Sequence, residues 1–198
     1  MNDSDRPERS LPGQETPEEY LQEVTIGERR PHNGTIYLAP YDPEWPRQFS
    51  LLEGRIYQAL GDQALLLEHV GSTSVPGISA KPVIDMLLVV ADSADEASYL
   101  PALEEQGFYL RIREPDWHQH RLLKSPDIKA NLHVFSAGCC EVERMLAFRD
   151  WLRSHPDEKE LYEKAKRELA ARTWKYTQHY ADAKSKVVEE ILSRAMAE

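Results

Sequence analysis

The sequence predicts an α+β domain with a helical cluster at its C-terminus, and three observations lead there. Five segments between residues 64 and 135 read as strands set apart by turn-rich connections. Beyond residue 141 the apolar residues recur at helical spacing. A chain of 198 residues, 41% of them hydrophobic, supplies one core rather than several.

Taken in order, residues 1–33 hold Pro7, Pro12, Pro17 and Pro31, many charges and few aromatics, so little there can offset the entropy of ordering. They are expected to form a flexible N-terminal arm, with residues 34–198 as the folded domain. Inside the arm, Thr16-Pro17-Glu18-Glu19 suits the start of a short helix reaching Val24, marginal by itself. Ile36-Tyr37-Leu38 opens the domain. Asp42 then caps a helix that Pro43 begins, with Phe49, Leu52, Ile56 and Leu60 on one face and Gly61 at its end.

A strand over 64–70 leads into a Gly/Ser/Pro loop, 71–81, and then into a nearly all-apolar segment, 82–90, which is expected at the sheet centre. Residues 95–106 read as a helix closed by Gly107, with Pro101 requiring a kink or a late start. Strands are expected at 108–113, 117–124 and 129–135, the last two joined by the Ser125-Pro126-Asp127 turn. Helices follow at about 141–153, 157–173 and 178–196, broken first at Ser154-His155-Pro156. In the last, Tyr180, Lys184, Val187, Val188, Ile191 and Leu192 share a stripe that must pack on a neighbour.

Composition narrows the function. Lys and Arg number 24 against 34 Asp and Glu, a net charge of −10, which disfavours a large nucleic-acid footprint because duplex binding needs clustered cations. The longest apolar run, 83–91, is interrupted by Asp85 and falls far short of the roughly 20 residues that cross a bilayer. Cys139 and Cys140 are adjacent, build no disulfide framework and lack a second pair for zinc. With no signal-peptide pattern, a cytoplasmic protein is expected.

The segment from His69 to Asp85 carries the chemistry. Gly71 permits close backbone approach, the hydroxyls of Ser72, Thr73 and Ser74 with nearby main-chain N–H groups can cradle phosphate oxygens, and Lys81 can neutralise one. Asp85, set in Val-Ile-Asp-Met-Leu-Leu, asks for a partner, since a buried carboxylate is costly alone. His69 either touches phosphate or orients the loop. His118 and His120, two apart on an expected strand, are placed with His133 and Asp85 as metal ligands, a set better suited to a transition metal than to magnesium; exposed or hydrogen-bonded histidines are the alternative. Arg121, assigned to the same strand face, is a further phosphate contact or else a surface ion pair. Lys184 either snorkels past its apolar neighbours or points toward phosphates. Arg149-Asp150 reads best as a salt bridge docking the helices on the sheet, and the four tryptophans as packing residues.

This segment resembles the signature of the GrpB family, bacterial proteins with a nucleotidyltransferase-like fold. Ala39-Pro40-Tyr41-Asp42-Pro43-Glu44-Trp45-Pro46, Asn131-Leu132-His133-Val134, Phe148 through Pro156, and the closing stretch with Tyr180, Lys184 and Val187 agree, covering about residues 36–196. The resemblance implies a mixed β-sheet with flanking helices and a nucleotide or phosphorylated ligand at the Gly-Ser turn. It also implies a divalent metal, magnesium or manganese, on Asp85, and nucleotidyl transfer to a small-molecule or protein hydroxyl in which Ser72 fixes phosphates and Lys81 offsets charge. Two departures stand out: Leu87 occupies the place of a second acid, and His133 that of a third. They favour an alternative, a non-catalytic accessory or ligand-binding module like the domain fused to dephospho-coenzyme A kinase. A histidine-ligated metal hydrolase is a third reading.

Overall fold

The computed structural model describes residues 13–197. In chain order it has α1 (Glu18–Val24), α2 (Glu44–Leu60), β1 (Leu66–Val70), β2 (Ile84–Val90), α3 (Glu96–Glu105), β3 (Tyr109–Glu114), β4 (His120–Ser125), β5 (Ala130–Ser136), α4 (Cys140–Ser154), α5 (Pro156–Ala170) and α6 (Thr177–Ala195). The five strands make one mixed sheet in the order β1-β2-β5-β4-β3, with β2 and β5 parallel and the other pairs antiparallel.

Strand parity decides what each face does. Ile84, Met86, Leu88 and Val90 of β2, with Leu132 and Val134 of β5, pack on Trp45, Leu52 and Ile56 of α2 and on Tyr99 and Leu103 of α3. The odd positions of β2 and β5 face the other way, where Leu87, Phe135 and Val70 meet Val142, Met145 and Leu146 of α4. The three C-terminal helices close around Leu152, Tyr162 and Ile191, and they take in Val75 and Ile78 of the 71–81 loop. Loop and helical cluster therefore share a core, and both border the odd face of β2. Arg149 docks them, donating to Glu68 Oε2 of β1 at 2.6 Å and to Asp150 at 2.7 Å.

Local signals locate most boundaries. Asp42 Oδ1 accepts from the Glu44 N–H at 2.9 Å, and Gly61 ends α2 at φ 51°. Helix α3 starts at Glu96 and runs through Pro101, so no late start occurs. β4 begins three residues after the expected position, because residues 115–119 form a turn in which His118 and Gln119 adopt φ 52° and 50°. Left-handed backbone does not continue a ladder.

The flexible arm is corrected over residues 13–33. Tyr20, Leu21 and Val24 are 6–7% exposed against Ile112 of β3 and Tyr176, Thr16 N–H donates to Asp182 Oδ2 at 2.8 Å, and Lys175 pairs with Glu18. Composition missed this because the apolar surface that receives α1 belongs to a strand some ninety residues later. Residues 1–12 lie outside the described part of the chain.

Candidate functional site

Asp85 projects from the odd face of β2 and its side chain is 31% exposed. The register places Val70, Asp85, Asn131 and Lys124 in one row across four strands, with Leu87, His133 and Leu122 in the next row. Gly71 follows directly after β1, and at φ 67° it lies so close that a Cβ there would sit 2.6 Å from Asp85 Oδ2. Only glycine allows this contact, because the positive φ and the missing side chain are both required. The carboxylate thus lies against the small-residue bend, not sealed among aliphatic side chains.

Asn131 Nδ2 donates to Asp85 Oδ1 at 2.8 Å, and His133 Nε2 lies 4.0 Å from the same oxygen. A carboxylate only accepts, so the amide must present its N–H₂ there; Asn131 Oδ1 is then buried without a partner. Burial pushes the Asp85 carboxyl up, against the Asn131 hydrogen bond and the charges of Lys184, Lys81 and Lys124, which pull it down. Lys81 is held below its ordinary value by burial and then by Lys124. Lys184, its Nζ 4.6 Å over the Tyr180 ring, is held up in spite of burial by Tyr162, Tyr180 and Asp85. None of these three lysines has an ion-pair partner among the described residues. One acid beside three cations makes this part of the odd face electropositive on a chain of net charge −10.

The bend itself is braced. Ser74 Oγ donates to Gly71 O at 2.6 Å, and the Thr73 hydroxyl accepts from His69 Nε2 at 3.0 Å while donating to Val83 O at 3.4 Å. These two hydroxyls shape the loop; Ser72, half-buried, carries no side-chain hydrogen bond among the described residues. Lys166, 1% exposed, donates to Ser79 O at 2.5 Å and anchors the far end of the loop to α5. Burial, then Lys184, brings its amine down to about 7.

Not every expected residue joins this group around Asp85. His69 falls on the even face, stacked on Phe49 at 4.8 Å beside a cavity of about 600 Å³ that Tyr41, Ser74, Arg153 and Lys159 also line. Burial, then Arg153 and Arg149, holds its ring down at about 4, so it is neutral at pH 7 and orients the loop. Arg121 is one residue from His120, and a single step reverses the face; it pairs with Glu96 of α3 at 2.5 Å instead of reaching a phosphate. His118 sits in the 115–119 turn, exposed, near Cys140 and Glu141, and apart from Asp85. His120 does share the face of His133, but its ring nitrogens go to His133 and Glu114. Asn131 and Lys124 were missed by sequence reasoning, though each has the parity of an expected site residue: Asn131 that of His133, Lys124 that of His120.

A mixed five-stranded sheet with flanking helices and a C-terminal helical cluster makes an α+β domain, with a glycine bend set against a strand carboxylate. The chain belongs to the GrpB family: the profile described as GrpB protein matches residues 35–194. It is 58% identical to a UPF0157 protein of Halalkalibacterium halodurans over 91% of this chain and 92% of that one. The crystal structure of the conserved protein GrpB from Enterococcus faecalis superposes with a TM-score of 0.66 at 29% identity, covering 81% of this chain and 98% of that one. A dephospho-CoA kinase of Mycolicibacterium paratuberculosis is 32% identical over 69% of this chain, which spans 40% of that enzyme's length. Among the described residues no helix is long and apolar enough to cross a membrane.

Proposed function

We propose that this chain binds a nucleotide or another phosphorylated small molecule in the hollow bounded by the 71–74 bend, Asp85 and the three lysines. The observation that carries this reading is the charge: Lys81, Lys124 and Lys184 surround a single carboxylate and lack ion-pair partners among the described residues. A phosphate chain supplies the missing negative charge at short range. Ser72 and the main-chain N–H groups of the bend are the donors for its oxygens, and Lys81 the cation nearest the loop.

The donor set fits a divalent cation: the Asp85 carboxylate, His133 Nε2 4.0 Å away and the orphaned Asn131 Oδ1. A cation bound there would polarise the phosphoryl group. In nucleotidyl transfer to a small-molecule or protein hydroxyl, the residues' task is to fix the phosphates against the bend, hold the reacting phosphorus beside Asp85 and offset charge on the leaving pyrophosphate through Lys81 and Lys184.

Thermal unfolding with each nucleoside triphosphate, with magnesium or manganese, tests binding. Ligand at 100 times its dissociation constant stabilises by about 2.7 kcal/mol, roughly 5–10 °C for a chain of this size. The shift is expected to vanish in Asp85→Asn and in Lys81→Ala/Lys184→Ala, and no shift with any triphosphate or any phosphorylated coenzyme A precursor defeats the proposal.

One position favours a second reading, a binding module without turnover. Leu87, where the family resemblance places a second acid, is fully buried against Val70 and Phe135, so no further carboxylate reaches the hollow from β2. Transfer of label from a bound triphosphate supports the enzyme; stabilisation by coenzyme A precursors with no transfer supports the module.

A further inference from the structure

The 115–119 turn and the start of α4 meet over one buried cluster. Trp117 of the turn and Cys139 and Val142 beside it pack on Val70, Leu87 and Phe135. The next residue on each segment, His118 and Cys140, is exposed. Two anchors in a shared core thus bring two solvent-facing side chains together, and Glu141 in the first turn of α4 joins them. A ring nitrogen of His118, Cys140 Sγ and a carboxylate oxygen of Glu141 all lie within 4.8 Å of one another.

Each of the three is supported from behind. His118 sets its edge against the Trp117 ring at 5.1 Å, and the turn is pinned through Gln119 O, which accepts from Ser93 Oγ at 2.9 Å and from Arg121 Nη1 at 2.8 Å. Arg144 Nε pairs with Glu141 Oε1 at 3.0 Å. A carboxylate offers several acceptor positions, so this pairing orients Glu141 without exhausting it. Cys140 opens α4, and the N-terminus of a helix favours the thiolate form that a metal binds. Cys139 differs, because burial pushes its thiol up.

The donor types select the ion. Thiolate and imidazole suit zinc and cobalt, whereas magnesium and calcium take oxygen ligands. Bonds of about 2.0–2.3 Å in a tetrahedral site hold ligand atoms roughly 3–4 Å apart, and exposed side chains change rotamer readily enough to close the remaining gap. Three protein ligands leave a fourth position open, the arrangement of catalytic zinc sites and not of closed structural ones.

We propose that His118, Cys140 and Glu141 bind one divalent cation of the zinc class, with the fourth position left to water or a small ligand. The site is separate from the Asp85 group: β5 passes Asp85 at Asn131 and reaches its far end at Ser136, just before α4. It is therefore independent of the phosphate reading. His118 keeps the metal role that its spacing suggested, but its partners come from a helix that strand parity could not indicate.

The test is titration of the full chain, reduced, stripped of metal and free of any histidine tag, with Co²⁺ and then Zn²⁺. Wild type is expected to take one Co²⁺ with thiolate-to-cobalt charge-transfer absorption and the intense visible bands of a four-coordinate ion. Zn²⁺ should displace it, and Mg²⁺ should not. Cys140→Ser is expected to abolish the charge-transfer band. His118→Ala and Glu141→Gln should each weaken Co²⁺ binding at least about 10-fold, since losses outside the ligand set alone cost about 10- to 100-fold. A wild type that shows no charge-transfer band overturns the proposal and needs no variant to fold. So does a band that survives in Cys140→Ser, or an affinity unchanged in His118→Ala or in Glu141→Gln. A band lost in Cys139→Ala yet kept in His118→Ala means chelation by the adjacent thiols, and overturns it as well.

Discussion

Asp85 is the residue whose cost and use are most directly opposed. Burial outweighs the Asn131 hydrogen bond and the three lysines and raises its carboxyl. The sign follows: a carboxyl raised in the folded state favours folding most when protonated, and that contribution is lost as pH climbs through its folded value. Asp85→Asn removes the charge and keeps an oxygen for Asn131 Nδ2, so it should stabilise the protein at pH 7.5 by on the order of 1 kcal/mol, about 2–4 °C. The gain should disappear at an acid pH below the raised folded value, where the native side chain is protonated as well. Melting curves of both proteins at the two pH values decide this; a variant less stable at pH 7.5 means that Asp85 is a structural anchor for the lysines. Such a trade of stability for a charged site is what a binding carboxylate shows and a packing residue does not. The sequence made Asp85 visible because it interrupts an apolar strand. Asn131 gave no such signal, since its importance comes only from the parallel pairing of β2 with β5, a contact between segments 46 positions apart.

The bend is the element on which the candidate site depends, and its glycine differs in kind from the one that ends α2. Gly61 and Gly71 both have positive φ, but nothing lies within 4 Å of a Cβ at 61, whereas one at 71 meets Asp85 Oδ2 at 2.6 Å. Gly61→Ala therefore carries only backbone strain, about 1 kcal/mol. Gly71→Ala adds a collision with a side chain whose strand cannot move, and is expected to cost at least about 3 kcal/mol or to push Asp85 out of the hollow. Urea midpoints of the two variants, with triphosphate binding for each, check this: equal losses would show that the bend adapts. The strands and helices were legible because they obey local periodicity: the alternation of Leu132 and Val134 with Asn131 and His133, or the stripe of Leu52, Ile56 and Leu60. What was not legible depends on a single residue of phase. The turn at 115–119 moves the start of β4 from Trp117 to His120 and leaves His118 outside the sheet. Arg121 likewise differs from His120 by one step, and that step sends it to Glu96 on the opposite side.

On the scale of the whole molecule, α1 raises the question of how much of the fold lies outside the matched region, which begins at residue 35. Three side chains, Tyr20, Leu21 and Val24, are buried by it, each worth roughly 1.5–3 kcal/mol. Ordering seven helical residues costs about 1–2 kcal/mol apiece, so the two contributions nearly cancel. What remains comes from specific contacts: Thr16 to Asp182, Glu15 with His179 at 2.8 Å, Lys175 with Glu18, and Tyr20 to Glu114. Exposed ion pairs add little, while a hydrogen bond to a buried charge is worth about 1.5–3 kcal/mol. A chain lacking residues 1–33 is therefore expected to fold cooperatively, with its sheet and helical cluster intact, and to lose a few kcal/mol, roughly 5–10 °C in thermal midpoint. The loss should be concentrated at Glu114, which gives up its tyrosine partner as the small cavity of about 100 Å³ between α1 and the two histidines opens to water. Calorimetry of the shortened chain measures the midpoint, and hydrogen exchange locates the change at β3 and β4 or elsewhere. A shortened chain that fails to fold would make α1 an obligatory part of the core, and one with an unchanged midpoint would show that the packed segment contributes no net stability.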